Sequence, residues 1–152
     1  MLDRGSHVGI VSESRVVDVE AGFLTFFAKA TGETNPIYFD DAAARAAGHR
    51  AILMPPTYLF SLHMSHPAMR GDLFNKESGI GVDQSRILHG EQGFIYHRPI
   101  YAGDRITIRT TTEDIYAKKG GALEFIVQRT RFENDEGELC AEARQVTIVR
   151  NG

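Results

Sequence analysis

Cysteine, tryptophan and long hydrophobic runs are nearly or wholly missing from this sequence. Cys140 is the one cysteine, so an internal disulfide is excluded and a reducing compartment, the cytoplasm, is expected. There is no run of about 18 apolar residues, and the first residues lack the charged, apolar and small-residue order of a secretory signal. The cysteine and the histidines also lack the spacing of a metal site, so no bound metal is expected.

An excess of charge of one sign is missing as well. The chain has 17 basic and 20 acidic residues, which are interspersed and give a formal net charge of -3. This balance argues against the basic surface typical of nucleic-acid binding or of attachment to an anionic membrane. The length of 152 residues and the 42% hydrophobic content are typical of one globular domain. We expect a flexible tail over residues 1–10, which have no hydrophobic period, and a single domain over residues 11–152.

The first third of the chain predicts a strand, two helices and a turn between the helices. Residues 12–19 are rich in valine, which is typical of a strand. One apolar stripe then follows at helical spacing: Phe23, Phe26, Phe27 and Ala30. Gly32 ends this helix, and Pro36 keeps the residue before it out of the helical region, which predicts a turn over residues 33–36. Asp40 is a suitable N-cap for a second helix over residues 41–47.

The remainder predicts one buried helix and then strands. Two prolines precede a helix over residues 57–66 that is apolar on almost every side, which is typical of a buried helix. Residues 71–85 indicate a long polar connection that is either mobile or part of the rim of a binding site. Strands are predicted over residues 87–100, 105–116, around 123–127 and over 139–149, with turns at 118–121 and 134–137. A bulge near Arg144 would bring the odd and even apolar positions of the last strand onto one face.

This order predicts an α+β fold in which a curved antiparallel sheet wraps around one long apolar helix. Three motifs carry a resemblance to a known family. Residues 32–38, Gly-Glu-Thr-Asn-Pro-Ile-Tyr, resemble the Gly-Asp-x-Asn-Pro-aliphatic-His motif of (R)-specific enoyl-CoA hydratases. Residues 38–48, followed by Met-Pro-Pro-Thr-Tyr at 54–58, resemble more closely the FAS1-like dehydratase or MaoC N-terminal group. That group includes one subunit type of the mycobacterial (3R)-hydroxyacyl-carrier-protein dehydratases. Residues 97–104 match the strand-end motif of both groups, and the resemblance implies the hot-dog fold.

The resemblance also implies a reaction, the reversible addition of water to a trans-2-enoyl-CoA or enoyl-ACP to give the (3R)-hydroxyacyl form. In the family an Asp is the general base and a His is the proton donor. Glu33 and Tyr38 stand at these two positions here and are the catalytic candidates. Glu33 could instead be a solvated carboxylate at a helix end, and Tyr38 an aromatic side chain that packs on the turn. CoA or phosphopantetheine enters only as part of the substrate, and no separate cofactor is expected.

Five more residues are candidates for substrate binding: Asn35, Thr57, Tyr58, His89 and Gln92. Asn35 is also expected to hold the turn through its side chain. Because the two prolines have no N–H, the first free amides of the buried helix are those of residues 57–59. The resemblance implies that the amide of Thr57 polarises the thioester carbonyl, although Thr57 could also simply cap the helix.

The strand candidates are His89 and Gln92. His89 and His97 have the same parity and are therefore expected on one face of their strand. Gln92 matches a polar position of the hydratase strand and is expected to contact the ligand or a dimer mate.

Three functions remain open. The chain is a homo-oligomeric hydratase or dehydratase, or it is a catalytically silent acyl-CoA or acyl-ACP-binding subunit that needs a MaoC partner with an intact Asp–His motif. In the resembling mycobacterial subunits, a departure from that motif marks the partner that shapes the acyl channel. The third function is a thioesterase, which ranks last because residues 57–64 contain no carboxylate. An open sheet edge predicts a homodimer, a higher oligomer or a heterodimer.

Overall fold

The computed structural model describes residues 2–66, 71–77 and 79–151. A five-stranded antiparallel sheet has the strand order β1-β3-β4-β5-β2. The strands are β1 (Arg15–Asp18), β2 (Ile87–Tyr96), β3 (Arg105–Lys118), β4 (Leu123–Glu133) and β5 (Leu139–Arg150). The helices are α1 (Arg4–His7), α2 (Ala21–Ala30), α3 (Asp41–Ala46), α4 (Tyr58–Ser65) and α5 (Gly71–Phe74). In the described ranges, no helix is long and apolar enough to span a membrane.

Helix α4 lies on one face of the sheet, which we call the inner face. Its buried residues are Tyr58, Leu59 and Leu62, and they belong to the same core cluster as side chains of β3, β4 and β5. These sheet residues are Ile106, Ile108, Phe132, Ala141 and Ala143. The predicted arrangement, an antiparallel sheet around an apolar helix, is confirmed. Burial of α4 on every side is wrong, because His63 and Met64 are only half-buried and Ser65 is exposed.

Helix α2 forms where the apolar spacing predicted it, but a different face of it is buried. Leu24 and Ala28, four positions apart, are fully buried. Phe27, three positions after Leu24, packs against the core on the same side of the helix. Phe23 and Phe26 are 58% and 73% exposed, so the predicted stripe is not the buried face. The helix has apolar residues on two faces, and only the tertiary contacts decide which face packs.

The predicted bulge near Arg144 is wrong. Arg144 pairs in unbroken register with Gly93 on one side and Arg129 on the other. The odd residues of β5 therefore stay on the inner face throughout the strand, and Val146 is buried on the outer face instead.

A bulge does occur in β2, at Gly90. The register shifts between His89 and Glu91, because one residue of β2 has no partner in β5. A Cβ on Gly90 would lie 2.9 Å from the side chain of Ile148 and from the carbonyl oxygen of Val146. Only glycine fits this close approach of the two strands.

Residues 2–10, for which we expected a flexible tail, lie against the sheet. The Leu2 amide donates to the buried carboxylate of Glu124 at 2.6 Å, and Arg4 forms an ion pair with Asp114 at 2.9 Å. The amide of Gly9 donates to the Thr112 carbonyl at 2.9 Å. The segment thus contacts both β3 and β4.

Residues 71–85 are not the purely polar connection that the sequence predicts. Leu73 and Val82 are buried and share a second hydrophobic cluster with Ile115, Ile126 and Val149. The amide of Val82 donates to the Leu73 carbonyl at 3.0 Å, which holds the two sides of this segment together. The described part of the connection therefore covers the far end of the inner face.

Candidate functional site

The turn after α2 is held by two side chains of its own. Asn35 caps the 3-10 turn Pro36–Tyr38, and its Oδ1 accepts from the Ile37 amide at 3.2 Å. Glu33 Oε1 accepts from the amides of Asn35 and Thr34, at 2.9 and 2.8 Å. These two hydrogen bonds, that from Asn35 first, lower the pKa of the Glu33 carboxyl. The carboxylate is thus ionised at neutral pH, bound to its own turn and weak as a base.

Tyr38 lies half-buried at the end of this turn. Burial raises the pKa of its hydroxyl, and the negative charge of Glu33 raises it further. The hydroxyl therefore stays protonated at neutral pH and is able to donate a hydrogen bond. The structure brings the two catalytic candidates within electrostatic reach of each other.

Tyr96 is a residue of this site that the sequence prediction missed. Its Oη donates to the carbonyl oxygen of Pro56 at 2.6 Å, directly before α4. Burial raises the pKa of Tyr96 as well, and its neighbour Tyr38 raises it further. Tyr96 pairs with Ala141, which belongs to the core under α4, but no local signal in the sequence indicates its bond to Pro56. We call Glu33, Tyr38, Tyr96 and the residues from Pro56 to Leu59 the helix-start site.

The first amides of α4 are only partly free. The Tyr58 amide donates to the Pro55 carbonyl at 2.9 Å, which removes it from the three amides that the sequence predicts to be available. In the described part of the chain, no acceptor is bound to the amides of Thr57 and Leu59. Thr57 is exposed, and its side chain does not cap the helix. The aromatic ring of Tyr58 is buried against Phe27, with ring centroids 5.2 Å apart.

His89 and His97 lie on opposite faces of the sheet. The ring of His89 contacts that of Phe60 on α4, with centroids 5.2 Å apart, so His89 is on the inner face. His97 Nε2 lies 3.0 Å from Glu142, which is on the outer face. The prediction of a common face is wrong, because the bulge at Gly90 reverses the parity between the two histidines.

Gln92 is on the inner face and half-buried. Its Nε2 donates to the Arg144 carbonyl at 3.3 Å. Its Oε1 is buried and has no hydrogen-bond partner among the described residues. Since buried polar atoms are nearly always paired, this oxygen needs a water or a ligand.

A cavity of about 140 Å³ lies between α4 and the inner face. Phe60, His63 and Met64 line it on the helix side, and His89 lines it on the sheet side. His63 Nε2 lies 3.4 Å from the hydroxyl of Thr110. Within residues 2–66, 71–77 and 79–151, no three histidine, cysteine or carboxylate side chains are grouped so that they could hold a metal ion.

Comparison with known proteins gives consistent matches in sequence. The family model "FAS1-like, dehydratase domain region" matches residues 6–143. A UPF0336 protein of Streptomyces coelicolor is 42% identical over 124 residues, which cover 82% of this chain and 79% of that protein. One of Parafrankia sp. is 39% identical over 126 residues, or 82% of this chain and 78% of that protein.

The fold also matches solved structures. The C-terminally truncated HadBC (3R-hydroxyacyl-ACP dehydratase) complex from Mycobacterium tuberculosis gives a TM-score of 0.78 at 25% identity, over 93% of this chain and 96% of that chain. The ChsH1-ChsH2 complex from the same organism gives 0.73 at 25% identity, over 93% and 89%. A MaoC-like dehydratase gives 0.79 at 25% identity, over 97% of this chain and 43% of that one. The predicted hot-dog fold is confirmed.

Proposed function

Because the chain belongs to the FAS1-like dehydratase family, we propose that it binds the acyl thioester in the reversible hydration of trans-2-enoyl thioesters. A MaoC-type partner chain supplies the Asp and His that move the protons. The substrate is an acyl-CoA or acyl-ACP, whose CoA or phosphopantetheine is the only cofactor group involved. The protein is cytoplasmic in this proposal.

The observation that carries this proposal is the state of Glu33. Hydration needs a base with a pKa near the working pH and an acid that returns a proton to Cα. The pKa of the Glu33 carboxyl is lowered by two amides of its own turn, and burial raises the pKa of Tyr38. The two groups are shifted away from neutrality in opposite directions, so neither is suited to transfer a proton at neutral pH.

The start of α4 gives the chain a means to bind the thioester. The amides of Thr57 and Leu59 have no acceptor in the described part of the chain, and they lie at the positive end of the helix dipole. Such amides favour the negative charge that gathers on a thioester oxygen when water adds to the double bond. Tyr96 fixes the position of this turn through its bond to Pro56.

The sheet edge supports a partner chain. Among the described residues, β2 pairs with β5 on one side only, so ten residues of backbone are open to another strand. Leu88 and Ile95 on this strand are 48% and 53% exposed. Two of the solved structures similar to this chain, HadBC and ChsH1-ChsH2, are complexes by their names.

A second candidate is a hydratase that is active by itself. The charge of Glu33 acts on Tyr38, so a carboxylate and a hydroxyl do share one site. Thioester hydrolysis ranks behind both functions, because Tyr58–Ser65 contains no carboxylate that could act beside the thioester.

Hydration of crotonyl-CoA by the purified chain, followed as loss of enoyl absorbance, separates the first two candidates. We expect no turnover by the chain alone, and turnover after co-purification with a MaoC-type chain of the same genome that has the Asp–His motif. Turnover by the chain alone that is lost in both Glu33→Gln and Tyr38→Phe would favour the second candidate. Release of free thiol from a saturated acyl-CoA would instead indicate a thioesterase.

A further inference from the structure

The inner face carries a pattern of polar residues that the proposed function does not yet use. Three neighbouring strands each have two polar residues separated by one position: Thr110 and Thr112 in β3, Gln128 and Thr130 in β4, and Gln145 and Thr147 in β5. The register aligns Thr112 with Gln128, Gln128 with Gln145, and Gln145 with Gln92 of β2. We call these four residues the polar row. It crosses four strands on the face that packs against α4.

The hydrogen bonds of this region are only partly satisfied from within the protein. Gln145 Nε2 donates to Thr147 Oγ1 at 3.1 Å, and the hydroxyls of Thr110 and Thr130 are 3.0 Å apart. The buried Oε1 of Gln92 has no partner in the described part of the chain.

Gln128 is half-buried and adds a side-chain amide that a ligand could bind. Its side-chain amide makes no hydrogen bond within residues 2–66, 71–77 and 79–151. Gln128, Gln145, Thr110 and Thr147 all line the cavity under α4. An alkyl group that filled this cavity would displace water and leave the side-chain amide of Gln128 without a hydrogen bond.

The cavity lies further along α4 than the helix-start site, because Phe60, His63 and Met64 line it. Tyr96, near the end of β2, bonds to Pro56 before α4, and His89, near the start of β2, contacts Phe60 one turn further along the helix. β2 and α4 therefore run side by side in opposite directions. From Thr57 to His63 the helix rises by about 9 Å, at 1.5 Å per residue. This distance is short enough for an acyl group with its thioester at the start of α4 to extend its distal carbons to the cavity.

We propose that this cavity holds the distal end of the acyl group and that the two members of the polar row that line it, Gln128 and Gln145, select a chain with a hydroxyl or keto substituent there. The volume of about 140 Å³ is close to that of an engineered protein cavity that holds benzene, about 150 Å³. A short oxygenated chain end fits this space. The inference rests on the proposed binding of acyl thioesters and goes beyond it by naming the acyl class.

Calorimetric titration of the purified full chain tests the inference. The probes are octanoyl-CoA and three analogues, hydroxylated on the last carbon or on either of the two carbons before it. We expect at least one analogue to bind about tenfold more tightly than octanoyl-CoA, because a site built to pair a hydroxyl discriminates against a ligand that lacks it. Octanoyl-CoA that binds as tightly as every analogue would overturn the inference.

Variants of the cavity residues test whether the polar row causes the tighter binding of the hydroxylated analogues. Gln128→Leu and Gln145→Leu remove two carboxamides from the cavity, and we expect the preference to fall to about twofold or less. Gln84→Leu makes the same change at an exposed position outside the cavity and should keep the full preference. If the leucine variants do not fold, Thr147→Val removes one lining hydroxyl at nearly constant volume and should reduce the preference. A preference unchanged in every folded cavity variant would overturn the inference.

The same titration separates the two proposals. Tight binding of the probes without a preference contradicts the selectivity of the cavity and leaves the acyl-binding function standing. If none of the four acyl-CoAs binds, the proposed function fails, and the inference fails with it.

Discussion

The Glu33 carboxylate accepts hydrogen bonds from the amides of Asn35 and Thr34, the residues that directly follow it. The carboxylate satisfies two amide donors that would otherwise need hydrogen bonds to water, and it closes the turn after α2. The same bonds stabilise the ionised form. The residue aligned with the family's general base thus has a structural use that competes with proton transfer.

Replacement of Glu33 by glutamine should reveal this structural role as a change in the pH dependence of thermal stability. The folded pKa of Glu33 lies below its usual 4.5, so its stabilisation is complete above that value and is lost as the pH falls through the folded pKa. We expect Glu33→Gln to have a lower Tm than the wild type at about pH 7, and the difference to shrink toward zero by about pH 3.

Thermal unfolding at several pH values measures this difference. Glu136→Gln is the matched control, because the Glu136 carboxylate has no hydrogen bond in the described ranges. A Tm difference for Glu33→Gln that stays constant with pH would contradict the capping role.

The Tyr96 hydroxyl gives a second prediction for a single residue. Tyr96→Phe removes the bond to the Pro56 carbonyl, and we expect a loss of about 1 kcal/mol in the free energy of unfolding, measured by urea denaturation. Tyr116→Phe is the control, since the described residues offer its hydroxyl no partner. Equal effects of the two changes would show that the bond to Pro56 contributes nothing.

At the level of elements, the sequence predicted most helices and strands but misassigned faces. Local spacing correctly indicated α2, α3, α4 and the four long strands, because capping residues, prolines and alternation are local signals. The inner side of β5 was missed because the prediction assumed that apolar side chains face the core. Gln145 and Thr147 face it instead, and Val146 faces outward. Alternation alone shows that two faces differ, and only packing shows which of them is covered.

For the candidate site, the sequence likewise predicted the parts that depend on local motifs and missed those that depend on long-range pairing. The turn capped by Asn35 and the start of α4 follow from short motifs, and both are present. The bond from Tyr96 to Pro56 joins residues 40 positions apart, and the polar row needs the register of four strands. Such long-range pairings have no local signal in a single sequence.

The bulge in β2 gives a prediction at this level. Gly90→Ala places a Cβ at 2.9 Å from Ile148 and from the carbonyl oxygen of Val146, and we expect a loss of about 1–3 kcal/mol in stability. Gly93→Ala in the same strand has open space around its Cβ, and its stability should stay within about 1 kcal/mol of the wild type. Urea midpoints of the two variants measure the contrast. A Gly90→Ala variant as stable as Gly93→Ala would contradict the tight approach.

For the whole molecule, the two edges of the sheet differ in length. β1 is an edge of four residues, whereas β2 is an edge of ten. A long open edge with exposed apolar side chains is a site for pairing with another chain. We therefore expect the partner to join at β2.

Sedimentation of two edge variants tests this expectation. We expect the wild type mixed with its MaoC-type partner to sediment above the 16.9 kDa of one chain, and Ile95→Lys in the same mixture to remain a monomer, because a charge on the strand opposes pairing. Val16→Lys places the same charge on β1, at a side chain that is 45% exposed, and should leave the assembly intact. A wild type that remains monomeric beside that partner at micromolar concentration, or equal effects of both variants, would contradict pairing through β2.

The central claim is that this chain binds the acyl thioester and leaves the proton transfers to a partner. The most direct measurement is the kcat for crotonyl-CoA of the complex formed with the double variant Glu33→Gln/Tyr38→Phe. We predict a kcat within about threefold of the wild-type complex, because neither side chain transfers a proton. A fall of about a hundredfold or more, the usual effect of losing a general acid or base, would contradict the claim.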